Sequence, residues 1–293
     1  MKKIYGTGVA LVTPFKEGKN LDFKSLEKLV SYVSKNGIQY LVILGTTGES
    51  STLEREEKND IISCIKDSNK KKFPLVLGLG GNNTKKVIKE IKKIKKKDFE
   101  AILSVSPYYN RPSQKGIYKH FKKIAENTEC DIVIYNIPSR TGSNIKPNTI
   151  IKLANNFKNI IGVKESSGNI LQSYKIIKNK PEKFFVLSGD DIISLPIIIG
   201  GGDGVISVFA QAIPREFYNM IKLAIKGNIR ESFYRYYKMM DIIEILFEEG
   251  NPTGIKSLLS YIGICKSYVR LPLVKATNNF KKKLWFKYKI YSK

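Results

Sequence analysis

The sequence predicts an α/β protein: a (β/α)8 barrel, residues 1–226, followed by a C-terminal helical extension, residues 227–293. Three observations predict it. Short apolar, β-branched runs alternate with amphipathic stretches over roughly the first 225 residues, and strict alternation argues for parallel strands. Eight runs of each kind can be placed, the number that closes a barrel. The chain has 293 residues, against about 250 for a barrel, which leaves room for the extra helices. An open doubly wound sheet is the rival architecture. It is weakened because no Gly-x-Gly-x-x-Gly turn follows the first run.

Taken in order, Gly8–Thr13 is a strand closed by Pro14, and Phe23, Leu26, Leu29 and Val33 repeat at helical spacing until Asn36-Gly37. Tyr40–Leu44 is the second strand and Arg55–Ser68 its helix. Leu75–Leu79 is the third, with a helix from Thr84 that turns Ile88, Ile91 and Ile94 inward. Strand Ala101–Val105 precedes helix Lys115–Glu126, and strand Asp131–Tyr135 precedes helix Asn148–Asn155. Strand Ile160–Lys164 precedes helix Ile170–Lys178, and Phe185–Ser188 precedes a short helix through Ile192–Ile199. Gly204–Val208 is the eighth strand and Pro214–Ile225 its helix. Then the strand signal stops, and Glu231–Glu248, Thr253–Ile262 and Lys275–Tyr291 read as helices. In the last of them Phe280, Leu284, Tyr288 and Tyr291 share a face, so packing on the barrel explains them better than a membrane or nucleic acid.

The formal charge of +25 comes almost entirely from lysine spread over the predicted helix faces. Nucleic-acid binding concentrates Arg and Lys in a stripe with stacking aromatics, a pattern absent here. Cys64, Cys130 and Cys265 are far apart and lack metal-ligand spacing, so they read as buried thiols in a reducing compartment. The single histidine, His120, lies in a basic helical segment and reads as a surface residue. A zinc site or a histidine triad is thereby disfavoured. Met1-Lys2-Lys3-Ile4 lacks the apolar region and cleavage site of a secretory signal. The Leu195–Ile213 run is broken by Gly200–Gly204 and is no membrane span. The reading is a soluble, cytoplasmic protein without metal or cofactor.

Barrel active sites lie at the C-terminal ends of the strands. The sixth strand ends in Lys164. Burial disfavours a charged amine, and a neutral amine can attack a ketone to form a Schiff base. The other strand ends supply Gly45-Thr46-Thr47-Gly48-Glu49-Ser50, Tyr108-Tyr109-Asn110-Arg111-Pro112, Tyr135 through Arg140 to Gly142, and Ser188-Gly189. With no histidine available at the strand ends, tyrosine phenols linked through a threonine hydroxyl are the natural proton shuttle for carbinolamine chemistry. Arg140 offers a planar fork for a carboxylate.

In combination these motifs, with Gly162-Val163-Lys164-Glu165, resemble the dihydrodipicolinate synthase and N-acetylneuraminate lyase superfamily of pyruvate-dependent class I aldolases, its synthase branch most closely. The resemblance implies a Schiff base between Lys164 and pyruvate and a relay of Thr46, Tyr135 and Tyr109, with Tyr109 serving the neighbouring subunit. It implies that Thr46 and Thr47 hold the pyruvate carboxylate, that Arg140 holds that of L-aspartate 4-semialdehyde, and that Gly189 and Ile206 line the site. A homotetramer built from tight dimers is implied too. The competing expectations are a sugar-acid aldolase of the same fold and a basic protein that has lost catalysis.

Lysine-inhibited members of that family bind lysine at positions that match Ser50, Ser51, Arg55, Lys58, Asn82, Lys86 and Tyr108. Where they carry a carboxylate this chain has Lys86, and Arg55, Lys58 and Lys86 would repel a cation. The expectation is insensitivity to lysine. Gln211 stands where relatives usually have Asn, and Gly254 where a second proline is common.

Overall fold

The structure, a computed structural model, describes residues 4–292. Its strands are β1 (Gly6–Ala10), β2 (Tyr40–Ile43), β3 (Leu75–Gly78), β4 (Ala101–Val105), β5 (Ile132–Asn136), β6 (Ile160–Glu165), β7 (Phe185–Ser188) and β8 (Gly204–Ser207). They follow one another in chain order around a closed barrel. The β1–β2 pair and every pair from β3–β4 to β7–β8 are parallel. The fold is the one the alternation predicts.

Two compact units make up the chain, one of Pro74–Ile206 with the segment up to Gly6, the other of Thr7–Phe73 with the residues from Ser207 onward. In the first, the outward side chains Ile102, Ile132, Ile134, Val163 and Val186 meet Ile117, Phe121, Ile124, Ile150, Leu153 and Ile176 from the helices. Burying each such side chain stabilises by about 1.5–3 kcal/mol. Strand alternation then sends the neighbouring residues inward, so Tyr135 and Lys164 share the inner face while Asn136 and Glu165 share the outer. The register pairs Tyr135 with Lys164 and Asn136 with Glu165.

In the second unit, helix Phe23–Lys35 starts on an Asp22 cap and buries Leu26, Leu29, Val30 and Val33. Gly8 is required because a Cβ there would stand 2.1 Å from the buried ring of Tyr40. Gln211 accepts a hydrogen bond from the Val12 amide at 2.8 Å, a reach its longer side chain supplies. Gly254 begins a helix against Leu246, whose carbonyl oxygen lies 1.9 Å from where a Cβ would be. Any residue with a Cβ, proline included, would displace that backbone. The last helix, Asn278–Tyr291, buries Phe280 and Leu284 and leaves Tyr288 and Tyr291 half-buried, so the packing reading holds.

Some expectations need correction. The helix from Thr84 ends at Ile91 and buries Val87, with Ile88 and Ile94 only partly covered. The inward stripe is displaced because this helix has just eight residues and Ile94 lies past its end. His120 is buried, 4 % exposed, because helix Gln114–Ala125 turns it toward Thr84 beside Phe121. Cys64 is half-buried, Cys130 and Cys265 are buried, and all three are free thiols. The last helix starts at Asn278 on a Thr277 cap, not at Lys275. The N-terminal stretch Met1–Lys3, read above for a signal, lies outside the described residues. No helix among the described residues is long and apolar enough to cross a membrane.

Candidate active site

Lys164 occupies the inner face of β6, 5 % exposed, with its Nζ 4.3 Å from the centre of the Tyr135 ring. A cation over a tyrosine face gains about 0.5–2 kcal/mol. Gly189 closes the other side. A Cβ there would fall 2.6 Å from Lys164 Cε and 1.9 Å from Ser166 Oγ. Only glycine lets the lysine stem lie as it does. The Gly189 amide donates to the Glu165 carbonyl at 2.8 Å, which joins the ends of β6 and β7. Ile206, 1 % exposed, is on β8.

Arg140 rides on a one-turn helix, Pro138–Thr141. Pro138 is preset for the first helical position and Gly142, at φ 70°, ends the turn in the left-handed region. The turn holds Arg140 toward solvent. The loop from β4 lies alongside. Ser143 Oγ donates to the Pro107 carbonyl at 3.1 Å, and the Tyr109 amide donates to the Thr141 carbonyl at 3.4 Å. Tyr109 itself is 90 % exposed at φ 73°, unusual for an aromatic residue. Thus Lys164, Tyr135 and Gly189 are in one cluster, with the segments of Tyr109 and Arg140 laced together beside one another.

Thr46 and Thr47 belong to the second unit. Thr46–Gly48 is a single 3-10 turn flanked by Leu44 at φ 55° and Glu49 at φ 52°. Two side-chain-bearing residues in the left-handed region store strain, which requires strong local support. That support is on hand. Thr13 Oγ1 donates to the Gly48 carbonyl at 2.7 Å, and Asn251 Nδ2 donates to Thr47 Oγ1 at 3.0 Å. With its lone pair so engaged, the Thr47 hydroxyl proton is available to an anion. Glu49, fully buried, pairs with Lys256 Nζ at 2.5 Å and accepts from the Arg270 amide at 2.9 Å. Burial pushes the Lys256 amine down from its ordinary range, and Glu49 opposes that shift. Phe15 faces both cations, 4.2 Å from Lys256 Nζ and 4.5 Å from the Arg270 guanidinium carbon. Arg270 also grips Glu57 with two bonds of 2.7 and 2.6 Å, which holds that carboxyl below the usual range.

Sequence reasoning missed Glu49, Glu165, Asn251 and Lys256. The available signal was an acid placed inside two otherwise functional motifs, since a buried acid demands partners. Of the effector-site positions, Arg55 and Lys58 lie on helix Arg55–Ser68, and Ser50 and Ser51 on the short turn before it. In the first unit, Asn82 Nδ2 donates to the Tyr108 carbonyl at 3.1 Å, and Lys86 is exposed on helix Thr84–Ile91. No group of three His, Cys, Asp or Glu side chains among the described residues is arranged to hold a metal ion.

Known proteins resemble this chain along nearly its whole length. The model of the dihydrodipicolinate synthetase family matches residues 3–289. A 4-hydroxy-tetrahydrodipicolinate synthase from Karelsulcia muelleri is 56% identical over 289 residues, 98% of either chain. A crystal structure of dihydrodipicolinate synthase from Thermotoga maritima superposes with a TM-score of 0.96 at 36% identity, covering 99% of both chains. One from Cyanidioschyzon merolae, with lysine bound, superposes at 0.95 and 35% identity over 100% of this chain and 99% of that one.

Proposed function

We propose, on the premise that the chain belongs to the dihydrodipicolinate synthetase family, that it condenses pyruvate with L-aspartate 4-semialdehyde as a 4-hydroxy-tetrahydrodipicolinate synthase. It is a lyase-type enzyme of lysine and diaminopimelate biosynthesis. The observation that carries the reading is Lys164, buried against the Tyr135 ring and seated on Gly189.

The Lys164 amine attacks the pyruvate carbonyl, and the carbinolamine loses water to leave an imine. Tyr135, Thr46 and Tyr109 of a neighbouring subunit pass the protons. Thr47 donates to the pyruvate carboxylate, and Gly189 and Ile206 wall the pocket. Loss of a methyl proton gives the enamine, whose carbon attacks the aldehyde. The amino group of the second substrate then displaces the lysine, closing the ring and freeing Lys164. Arg140 holds the carboxylate of the semialdehyde, which a neutral sugar aldehyde lacks. On this reading no cofactor or metal takes part. Residues 1–226 are the catalytic barrel, 227–293 are the extension, and four copies assemble as a dimer of dimers in the cytoplasm.

Borohydride added with pyruvate should fix a stable adduct on Lys164 and none in Lys164→Ala. Purified protein should consume pyruvate with L-aspartate 4-semialdehyde and not with N-acetylmannosamine. Turnover with the sugar alone would move the chain to the lyase reading.

The chain is also proposed to be insensitive to lysine. By the resemblance, Arg55, Lys58 and Lys86 match positions of the inhibitor's site and would repel its ammonium. Activity should be unchanged at millimolar lysine, and inhibition there would refute the proposal.

A further inference from the structure

Glu165 is a buried acid that the reaction above does not use. Its side chain is on the outer face of β6, 1 % exposed, directly behind Lys164. Neutral donors satisfy it. Asn136 Nδ2 donates to both carboxylate oxygens at 3.2 and 2.9 Å, the Ser167 amide to Oε1 at 2.8 Å, and Gln172 Nε2 to Oε2 at 3.2 Å. A buried carboxylate without a countercharge costs several kcal/mol unless donors satisfy it. Here the donors lead outward. Asn136 Nδ2 also donates to Asn144 Oδ1 at 2.8 Å, and Asn144 exchanges bonds of 2.8 and 3.1 Å with Gln172. Asn136 Oδ1 accepts from the Ile145 amide at 3.0 Å. Asn136 is the last residue of β5, so it secures the segment 137–145 at both ends, and that segment carries Arg140.

We infer that Glu165 is a positioning residue for the second substrate. It orients Asn136 and Gln172, which fix the Arg140 segment against the strand that carries Lys164. The inference rests on the synthase reading for its substrate, but not for its geometry. A carboxylate accepts along both oxygens, whereas the amide of Glu165→Gln would turn an N–H2 toward Asn136, Gln172 or Ser167, all of which donate. The segment would then lose its anchor while the inner face stayed intact. Moving the acid, in Glu165→Gln/Gln172→Glu, would restore one acceptor facing the amides.

The test measures backbone hydrogen exchange over 137–145 and steady-state kinetics in the wild type, Glu165→Gln and the double variant. In Glu165→Gln, exchange in that segment should quicken at least tenfold. KM for the semialdehyde should rise about tenfold, which by the usual conversion is about 1.4 kcal/mol. KM for pyruvate and borohydride trapping on Lys164 should stay within twofold, and the double variant should recover most of the loss. Unchanged exchange, or equal rises in both KM values, would overturn the inference. A wild type that ignores the semialdehyde would refute the synthase reading, and the exchange result would still decide whether Glu165 holds the segment.

Discussion

At the scale of single residues, Gly189 separates folding from chemistry. A methyl group there would overlap side-chain atoms, Ser166 Oγ and both Cε and Cγ of Lys164. Side chains yield more cheaply than backbone, so Gly189→Ala should cost stability toward the low end of the overpacking range, about 1 kcal/mol. The lysine that moves is the proposed nucleophile, and an ångström of misplacement can cost about 100-fold in rate. Gly189→Ala should thus keep its melting temperature within a few degrees while kcat falls at least 100-fold. Unaltered kcat in a folded variant would show that the lysine has room to spare. Lys164, Tyr135 and Arg140 were legible because their motifs carry unusual residues at strand ends. Glu49 and Glu165 were not, since a charged letter in a loop motif says nothing about burial until the neighbouring strands supply its donors.

At the scale of elements, the eight strands and most helices could be read because buried parallel strands and amphipathic helices leave different periods. What failed was the facing of single helices. His120 shows why. The basic letters around it suggested a solvated face, yet it sits between Thr84, 2.8 Å from its Nδ1, and the edge-on ring of Phe121 at 5.2 Å. Burial pushes its pKa down to about 4. An unfolded histidine titrates near the ordinary value of about 6.5, so between the two the unfolded chain binds the extra proton. Stability therefore rises with pH through this window, and is lost as pH falls from about 6.5 to about 4. The full effect is about 3 kcal/mol. His120→Gln cannot charge. Urea unfolding at pH 7 and pH 4 should show the wild type losing about 2–3 kcal/mol more than the variant on acidification. Equal losses would mean that His120 is protonated in place.

At the scale of the whole molecule, a net charge of +25 sets the background. Lysines such as Lys92, Lys93, Lys95, Lys96 and Lys97 crowd one stretch of surface with few acids to offset them. Such a chain repels itself when compact. Salt shortens the reach of that repulsion to about 10 Å at 0.1 M. Melting temperature should consequently climb by several degrees between 20 mM and 300 mM potassium chloride, since about 1 kcal/mol corresponds to about 2–4 °C in a sizeable domain. A falling melting temperature would instead show that pairs such as Arg270–Glu57 and Lys283–Glu248 outweigh the repulsion. Composition alone discloses the charge, but not that Lys256, fully buried, is matched by Glu49.

Among the described residues, burial sets the Lys164 and Lys256 amines apart from the solvent-facing lysines. An acylating reagent in bulk water would consume the wet ammonium groups quickly and reach these two last. Lys256 is further shut in by its ion pair and by Phe15. On the proposed function a small ketone would meet the reverse order and mark Lys164, one of the two amines slowest toward large electrophiles. Exhaustive capping from outside would thus leave a nearly silent background against which a single interior lysine reports its own chemistry.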